Sequence, residues 1–318
     1  MTEIRQATPL NVPDTDALRY LPEGPYPIGP GRFSWVGIQH GAEAIVGSLN
    51  RYDLATGINE SIDLPGRPGF AFPCQSPNQF VVGCEQSLGI IDLASGRWQP
   101  FCEGVDADVD NTIINDGIVY QDNLIFGTKD LEFATRKAGL YLYRGADAEL
   151  FRLRDDQICS NGKAMLSTDD GLRLIDIDSP TRTVVMYRID IQAGTLGLPD
   201  TVLDFAGEPA VPDGAILTPD GSGLIVSMFR GEVADHGETR LYDIASGSLR
   251  CVWQTPGSPQ NTCPALVRHG GALKLIITTA VEHMSQSDQN ACPNAGKLFI
   301  GDTDFEDDGQ PLAPVYPE

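Results

Sequence analysis

The sequence lacks the features of a membrane, nucleic-acid-binding or exported protein. It contains no apolar run of about 18 residues that could span a bilayer as a helix, and its start has no charged-then-apolar leader. Basic residues are scarce, because 22 lysines and arginines stand against 44 acidic residues and the formal net charge is −22. Such a charge repels phosphate backbones and anionic lipid. We therefore predict a soluble, cytoplasmic protein that binds neither nucleic acid nor membrane.

Several common site motifs are absent as well. The seven cysteines include no C-x-x-C pair, which favours reduced, packed thiols and leaves a disulfide between some of them open. The four histidines have no metal-ligand spacing, and no G-x-S-x-G elbow supports a serine hydrolase. The string DADVDN (106–111) begins like a calcium loop but has Asn111 where such a loop needs glycine. We predict a surface turn there.

Short apolar runs separated by glycine and proline fill the chain instead. Runs such as GLIVSMF and LKLIITTA have no long helical period, so the pattern predicts an all-β protein. The three tryptophans fall in such runs and are predicted to be core residues. Near-copies of one turn string recur as NRYDLATG (50–57), GIIDLASG (89–96), MYRIDIQAG (186–194) and TRLYDIASG (239–247).

A second repeat lies at the residue that opens each inner apolar run. The residues in this register are Glu23, Cys74, Asn115, Asn161, Asp213 and Cys263. They lie roughly 50 residues apart, which suits one four-stranded propeller blade. Six such intervals fill the chain, so we predict a six-bladed β-propeller that forms a single domain over residues 1–318. The segment EIRQATPLN is expected to pair beside GKLFIGDTDF (296–305) and to close the last blade.

The innermost strands of a propeller line its centre, so residues at one repeat position converge. Glu23, Asn115, Asn161 and Asp213 offer carboxylate and amide oxygens, which are hard ligands for Ca²⁺, Mg²⁺ or Mn²⁺. A bound divalent ion would favour hydrolysis, with Asp213 as general base or nucleophile. Cys74 and Cys263 beside Glu23 would point to Zn²⁺, which we discount. Taken singly, Asn-Asp-Gly and Pro-Asp-Gly are also ordinary turn strings.

These strings also resemble a known family in their order along the chain. The family is that of gluconolactonase, regucalcin (senescence marker protein) and luciferin-regenerating enzyme. The matching strings are LPEGPYPIGPGRFSWVGI (21–38), NDGIVYQDNLIFGTKD (115–130), CSNGKAMLSTDDGLRLIDIDS (159–179) and VPDGAILTPDGSGLIVSMFRG (211–231). The resemblance implies a six-bladed propeller with a divalent metal that hydrolyses sugar lactones. It implies Glu23, Asn161 and Asp213 as metal ligands, Asn115 as a substrate contact and Asp213 as general base.

Two positions depart from the family pattern. Family members that act on sugar lactones usually have an arginine where this chain has Ile113, and a methionine where it has Lys129. The missing guanidinium removes bidentate hydrogen bonding, which suggests a substrate less polar than gluconolactone. Lys129 either attracts an anionic substrate or faces solvent.

The predicted function is metal-dependent hydrolysis of a small-molecule lactone or ester. Ca²⁺ is the expected cation, with Mg²⁺, Mn²⁺ and Zn²⁺ as alternatives. Two other functions keep the fold and the metal: hydrolysis of phosphotriesters or fluorophosphates, and calcium binding without catalysis. We expect a monomer or a weak homo-oligomer.

Overall fold

Sheets account for nearly all of the fold in residues 2–317, which a computed structural model describes. The described residues form six sheets. Four sheets consist of four consecutive strands, one consists of three consecutive strands and a strand from the N-terminus, and one consists of four consecutive strands and a fifth from the N-terminus. The chain is all-β, and the predicted six-bladed β-propeller class is confirmed. The chain divides into two compact units of three sheets each.

The first unit extends to Arg67 and resumes over Glu208–Ala313. Its elements are β1 (Glu3–Gln6), β2 (Thr8–Pro9), α1 (Asp16–Arg19), β3 (Pro22–Gly29), β4 (Arg32–Gly37), β5 (Ser48–Asp53), β6 (Ile58–Asp63), β19 (Val211–Leu217), β20 (Gly223–Phe229), β21 (His236–Asp243), β22 (Leu249–Pro256), β23 (Asn261–His269), β24 (Ala272–Thr279), α2 (Gln286–Ala291) and β25 (Phe299–Asp302). The three sheets are β3-β4-β5-β6, β1-β22-β21-β20-β19 and β2-β25-β24-β23.

The second unit covers Pro68–Gly207 and the C-terminal segment from Pro314. Its elements are β7 (Pro68–Pro73), β8 (Gln79–Cys84), β9 (Ser87–Asp92), β10 (Arg97–Glu103), β11 (Thr112–Tyr120), β12 (Asn123–Asp130), β13 (Ala138–Arg144), β14 (Glu149–Gln157), β15 (Ser160–Thr168), β16 (Gly171–Asp178), a 3-10 turn (Ser179–Thr181), β17 (Thr183–Asp190) and β18 (Thr195–Asp204). Each sheet joins four consecutive antiparallel strands.

The N-terminal segment supplies two strands to two different sheets of the first unit. Thr8–Pro9 (β2) pairs antiparallel with β25, with Thr8 opposite Ile300. Glu3–Gln6 (β1) instead runs parallel to β22, with Glu3 opposite Cys251. Both strands cover sheet edges that would otherwise present unpaired backbone groups.

Burial follows the position of a strand within its sheet. Every residue of β12 is buried, whereas most of the outer strand β6 is exposed. Trp35 and Trp253 are 0% and 1% exposed, as predicted for core residues. Trp98 lies on the outer strand β10 and is only half-buried.

The repeated DLATG-like strings form the turn between the third and the fourth consecutive strand of a sheet. In the first copy the Asp53 carboxylate accepts hydrogen bonds from the backbone amides of Ala55 and Thr56 at 2.9 and 3.0 Å. Gly57 then takes a positive φ of 69°, a conformation that costs glycine little. The same arrangement recurs at Asp92, Asp190 and Asp243. The near-copies therefore report one turn geometry.

Two sequence expectations about single residues have clear outcomes. All seven cysteines are free, as favoured by their spacing, and all but Cys102 are buried. The predicted surface turn at 106–111 is wrong at its first residue, because Asp106 is 1% exposed. Its carboxylate accepts hydrogen bonds from Thr128 at 2.5 Å and from Tyr141. These partners lie far along the sequence, so the string alone does not reveal them.

The helices are short. Among residues 2–317, none is long and apolar enough to cross a membrane.

A close approach between β12 and β15 predicts a stability effect at Gly127. An alanine Cβ there would lie 2.0 Å from Ser160 Oγ and 2.1 Å from Ser160 Cβ. Gly127→Ala should lower the free energy of unfolding by about 1–3 kcal/mol, because the buried strands must separate. Urea denaturation followed by circular dichroism measures this. Gly197→Ala is the control, since its nearest neighbour would be 3.4 Å away; equal losses in both variants would contradict the explanation.

Candidate functional site

Each innermost strand carries a β-bulge near its start. The register with the second strand shifts between Glu23 and Tyr26, Pro68 and Phe70, Ile114 and Gly117, Asn161 and Lys163, Pro212 and Ala215, and Asn261 and Pro264. A bulge breaks the alternation of side chains and redirects them locally. The predicted residues Glu23, Asn115, Asn161 and Asp213 all lie at or inside these bulges.

The predicted register is wrong for one of its members. Cys74 follows the end of β7 (Pro68–Pro73), where it bridges to Tyr316, and does not open that strand. The bulge of β7 contains Gly69 instead. An alanine Cβ at Gly69 would lie 2.3 Å from the carbonyl oxygen of Asn115, so this strand contributes a close backbone approach and no side-chain ligand.

In the first unit, two buried carboxylates stand at the bulges. Glu23 on β3 is 4% exposed, and its Oε2 accepts a hydrogen bond of 2.9 Å from the amide of Gly24. Asp213 on β19 is 6% exposed. Strand β23 contacts both β3 and β19. Carboxylate oxygens are hard donors, so both positions are candidates for binding a cation.

The strand β23 is fixed against its neighbours by small and polar groups. Thr262 donates a hydrogen bond of 2.7 Å to the carbonyl oxygen of Pro22, the residue before Glu23. A Cβ at Gly214, the residue after Asp213, would lie 2.5 Å from Cys263 Sγ. Only glycine therefore fits beside this cysteine without a shift of neighbouring atoms. This close packing fixes the path of the chain after Asp213.

In the second unit, two buried amides are locked together. Asn115 Nδ2 donates to Asn161 Oδ1 at 2.6 Å and to the carbonyl oxygen of Ser160 at 2.9 Å. Asn161 Nδ2 donates to Ser179 Oγ at 2.7 Å. Within residues 2–317, Asn115 Oδ1 accepts no hydrogen bond although the residue is 5% exposed. This oxygen is available to a ligand.

A carboxylate holds the chain just before Asn161. Asp178 Oδ1 accepts hydrogen bonds from the amides of Cys159 and Ile158 at 2.9 and 3.1 Å. Burial raises the pKa of Asp178, while these amides act in the opposite direction. The start of β15 is thereby anchored to the end of β16.

Sequence reasoning missed a set of buried charges next to these amides. Lys163 Nζ pairs with Asp176 at 3.2 Å and donates to Ser160 Oγ and to the carbonyl oxygen of Asn161 at 2.8 and 2.6 Å. Asp116, beside Asn115, is 7% exposed. The available signal was a charged residue within two positions of each asparagine, Asp116 after Asn115 and Lys163 after Asn161.

The two family departures form a cross-strand pair. Ile113 on β11 lies opposite Lys129 on β12, so their side chains share one face of the sheet. Ile113 is 1% exposed and Lys129 is 3% exposed. Lys129 is therefore not the solvent-facing residue that one interpretation expected. Their roles toward a substrate stay predictions.

The donors present suit an oxygen-preferring divalent cation. Glu23 and Asp213 supply buried carboxylates, and Asn161 Oδ1 accepts one hydrogen bond, which leaves a second lone pair. No group of three or more histidine, cysteine, aspartate or glutamate side chains in the described chain could hold a metal ion. The predicted set contains an amide in place of a third such group, and its role as a ligand set stays a prediction.

Comparison with known proteins identifies the family. Residues 21–281 match the model of the SMP-30/gluconolactonase/LRE-like region. Because this match covers most of the chain, the protein belongs to that family, as the resemblance predicted.

The individual relatives have low sequence identity to this chain. A protein of Bacillus subtilis strain 168 assigned by name as the sugar lactone lactonase YvrE is 33% identical over 54% of this chain and 56% of its own. The chain thus matches about half the length of its curated relatives. The structure of regucalcin from Agrobacterium tumefaciens strain C58, a calcium-binding protein, has a TM-score of 0.82 at 20% identity over 99% of both chains. A luciferin-regenerating enzyme has a TM-score of 0.77 at 20% identity, over 94% of this chain and 96% of its own. These structures show the shared fold.

The buried Asp116 predicts a pH dependence of stability. Burial raises its pKa to about 6 from a usual 3.8, although Lys163 and Lys129 oppose the shift. Between about pH 4 and pH 6 the unfolded chain has lost this proton while the folded chain retains it, so stability falls as pH rises. Asp116→Asn should remove this contribution, and the variant should gain a few kcal/mol relative to the wild type between about pH 4 and pH 7. Urea denaturation across this range, with chelator present, tests it.

The matched control is a carboxyl group with the opposite shift. The amide of Thr56 is the main cause that lowers the pKa of the exposed Asp53, so Asp53→Asn should be less stable than the wild type by a nearly constant amount across this range, because that contribution is lost only as pH falls below about 4. A pH-independent difference for Asp116→Asn would contradict the assignment.

Proposed function

We propose that the protein is a divalent-metal-dependent hydrolase that opens small-molecule lactones, with Ca²⁺ as its cation. Family membership supports the proposal, as do the name of YvrE and the calcium binding of the structurally similar regucalcin. The observation that carries it is the position of four buried oxygen-bearing residues at the bulges of innermost strands. Glu23, Asn161 and Asp213 are the proposed ligands, and Asn115 is the proposed substrate contact.

The proposed reaction is addition of water to the lactone carbonyl. A bound divalent cation would polarise that carbonyl and stabilise the negative charge on its oxygen. The Asp213 carboxylate accepts a proton from the attacking water as the new carbon–oxygen bond forms. The ring carbon–oxygen bond breaks, and the ring oxygen leaves as a hydroxyl after taking that proton from Asp213, which regenerates the carboxylate. One water is consumed and a hydroxy acid is formed.

The amide pair defines a role for Asn115. Both of its Nδ2 hydrogens are engaged by Asn161 and Ser160, so its Oδ1 is the atom that can accept a hydrogen bond from a substrate hydroxyl. The same pairing fixes which atom of Asn161 is the oxygen, because the Nδ2 of Asn161 donates to Ser179. Asn115 thereby positions both a substrate group and a ligand.

The remaining proposals concern the partners, the location and the oligomeric state of the protein. The net charge of −22 supports a small-molecule substrate and argues against nucleic acid and anionic membranes as partners. We keep a cytoplasmic location and a monomer or weak homo-oligomer as proposals.

Removal of a ligand predicts weaker calcium binding. Glu23→Gln retains the shape of the side chain but removes its charge, and we expect the calcium affinity measured by titration calorimetry to fall about 10-fold or more. Glu43→Gln is the control, since Glu43 is exposed and the substitution alters net charge equally. Equal losses in both variants would show a general charge effect and contradict the ligand assignment.

Loss of the base predicts loss of turnover. Asp213→Asn keeps an oxygen that can bind the cation, and we expect kcat for δ- and γ-lactones to fall about 100-fold to 10,000-fold. Chelation should abolish the wild-type activity, and added Ca²⁺ should restore it. The assay also includes a paraoxon-like phosphotriester.

Each alternative has its own outcome in this experiment. Turnover of the phosphotriester without turnover of lactones would favour the phosphotriesterase. Calcium binding with no turnover of either substrate, in the wild type as in the variant, would favour a non-catalytic calcium-binding protein.

A further inference from the structure

Lys129 is a buried cation without a partner among residues 2–317. It is 3% exposed, yet its Nζ forms no hydrogen bond or ion pair within the described chain. Its Nζ lies 5.8 Å from the centroid of the Phe133 ring. Lys163 is equally buried but fully paired, with Asp176 at 3.2 Å and two hydrogen-bond acceptors. The contrast within one unit marks Lys129 as exceptional.

An unpaired buried ammonium group is costly, because it has lost water without gaining a counter-charge. A cation–π contact offsets only part of that cost. Asp116 attracts both Lys129 and Lys163 electrostatically, but it is not within ion-pair distance of either. Among residues 2–317, Lys129 therefore has an aromatic ring beside it and Asp116 at longer range, but no anion in direct contact.

The adjacent loop holds Phe133 in an unfavourable position beside this charge. Phe133 has a positive φ of 50° and is 40% exposed, which is unusual for a bulky aromatic residue. Such a conformation persists when its surroundings impose it, often at binding sites. The loop is held by the buried carboxylate of Asp130, which accepts hydrogen bonds from the amides of Glu132, Ala134 and Thr135 at 3.1, 3.1 and 2.8 Å.

We propose that Lys129 and Phe133 form a subsite for a carboxylate group of the substrate, so that the preferred lactone is an anionic one. This inference rests on the proposed function for its reference to a lactone. The ammonium group of Lys129 donates to the carboxylate, and the exposed ring of Phe133 covers the apolar carbons next to it. The cross-strand partner Ile113 is apolar and 1% exposed, so it offers the carboxylate no competing polar group.

A carboxylate fits this subsite better than a phosphate. The neighbouring lysines are already paired, Lys163 with Asp176 and Lys137 with Asp130 at 3.1 Å, so Lys129 supplies a single ammonium group. A phosphate carries about two charges and needs several donors, whereas one ammonium group and an apolar wall match a monovalent carboxylate.

The catalytic test compares two lactones of the same shape. The wild type should turn over γ-butyrolactone γ-carboxylate with a lower KM than its neutral γ-carboxamide. Lys129→Met should raise the KM for the carboxylate about 10-fold to 100-fold and leave the carboxamide within about 3-fold, in line with the loss of one charged hydrogen bond. Lys129→Arg should restore part of the preference. Lys274→Met is the control, since Lys274 pairs with Asp302 at 2.6 Å elsewhere.

A binding test separates this inference from the proposed function. Cyclopentanecarboxylate, which cannot be hydrolysed, should bind the wild type by titration calorimetry and bind Lys129→Met at least 10-fold more weakly. Phe133→Ala should weaken the binding of cyclopentanecarboxylate more than the binding of acetate.

If no lactone is hydrolysed but this binding pattern holds, the subsite stands and the proposed activity fails. If lactones are hydrolysed and Lys129→Met affects both substrates equally or not at all, the subsite is wrong. Tighter competition by inorganic phosphate than by cyclopentanecarboxylate would overturn the choice of carboxylate.

Discussion

The β-bulge at the start of each innermost strand is the constraint on which the candidate site depends. In a regular strand, successive side chains point to opposite faces, so neighbours such as Asn115 and Asp116 could not serve the same surroundings. The bulge between Ile114 and Gly117 suspends that alternation. Both residues are buried and polar there, in a strand whose other residues pack as core. The same interruption at Glu23, Asn161 and Asp213 gives polar side chains a place at the strand start without disturbing the apolar layer further along.

Because the side chains at these bulges are buried, their hydrogen-bond partners determine how they are oriented. The amide of Asn115 donates both hydrogens, to Asn161 and Ser160. These bonds fix the orientation of two amides and leave a lone pair on the Oδ1 of each. Lys163 then ties the carbonyl of Asn161 to Asp176. A buried polar network of this kind is stable only when its members are satisfied. Two polar atoms beside this network, Asn115 Oδ1 and Lys129 Nζ, have no hydrogen-bond partner among the described residues, and both are positions at which a ligand can be tested.

The blade count could be predicted from the sequence because the residues that open the inner strands recur about every 50 residues. The turn formed by Asp53–Gly57, which depends on neighbouring residues alone, recurs in four of the six sheets. The residues opening the inner strands could be predicted for the same reason in five of six blades. The exception is instructive: the bulge of β7 is marked by Gly69, which has no side chain to align with its counterparts. The burial of Asp106 and the pairing of Lys163 could not be predicted, since their partners Thr128, Tyr141 and Asp176 come from other strands.

The pair formed by Ile113 and Lys129 lies next to the bulge that contains Asn115 but outside it. Partners across an antiparallel ladder share a face, and their strands lie about 4.8 Å apart. The family pattern places a cation at the position of Ile113, whereas this chain places one at its partner, Lys129. Such an exchange moves the charge by one strand spacing and replaces a planar, bidentate donor with a single ammonium group. Neither change touches the bulge that contains Asn115 or its hydrogen bonds to Asn161 and Ser160. Asn115, the proposed substrate contact, and the Ile113–Lys129 pair thus lie in adjacent but separable parts of the same two strands.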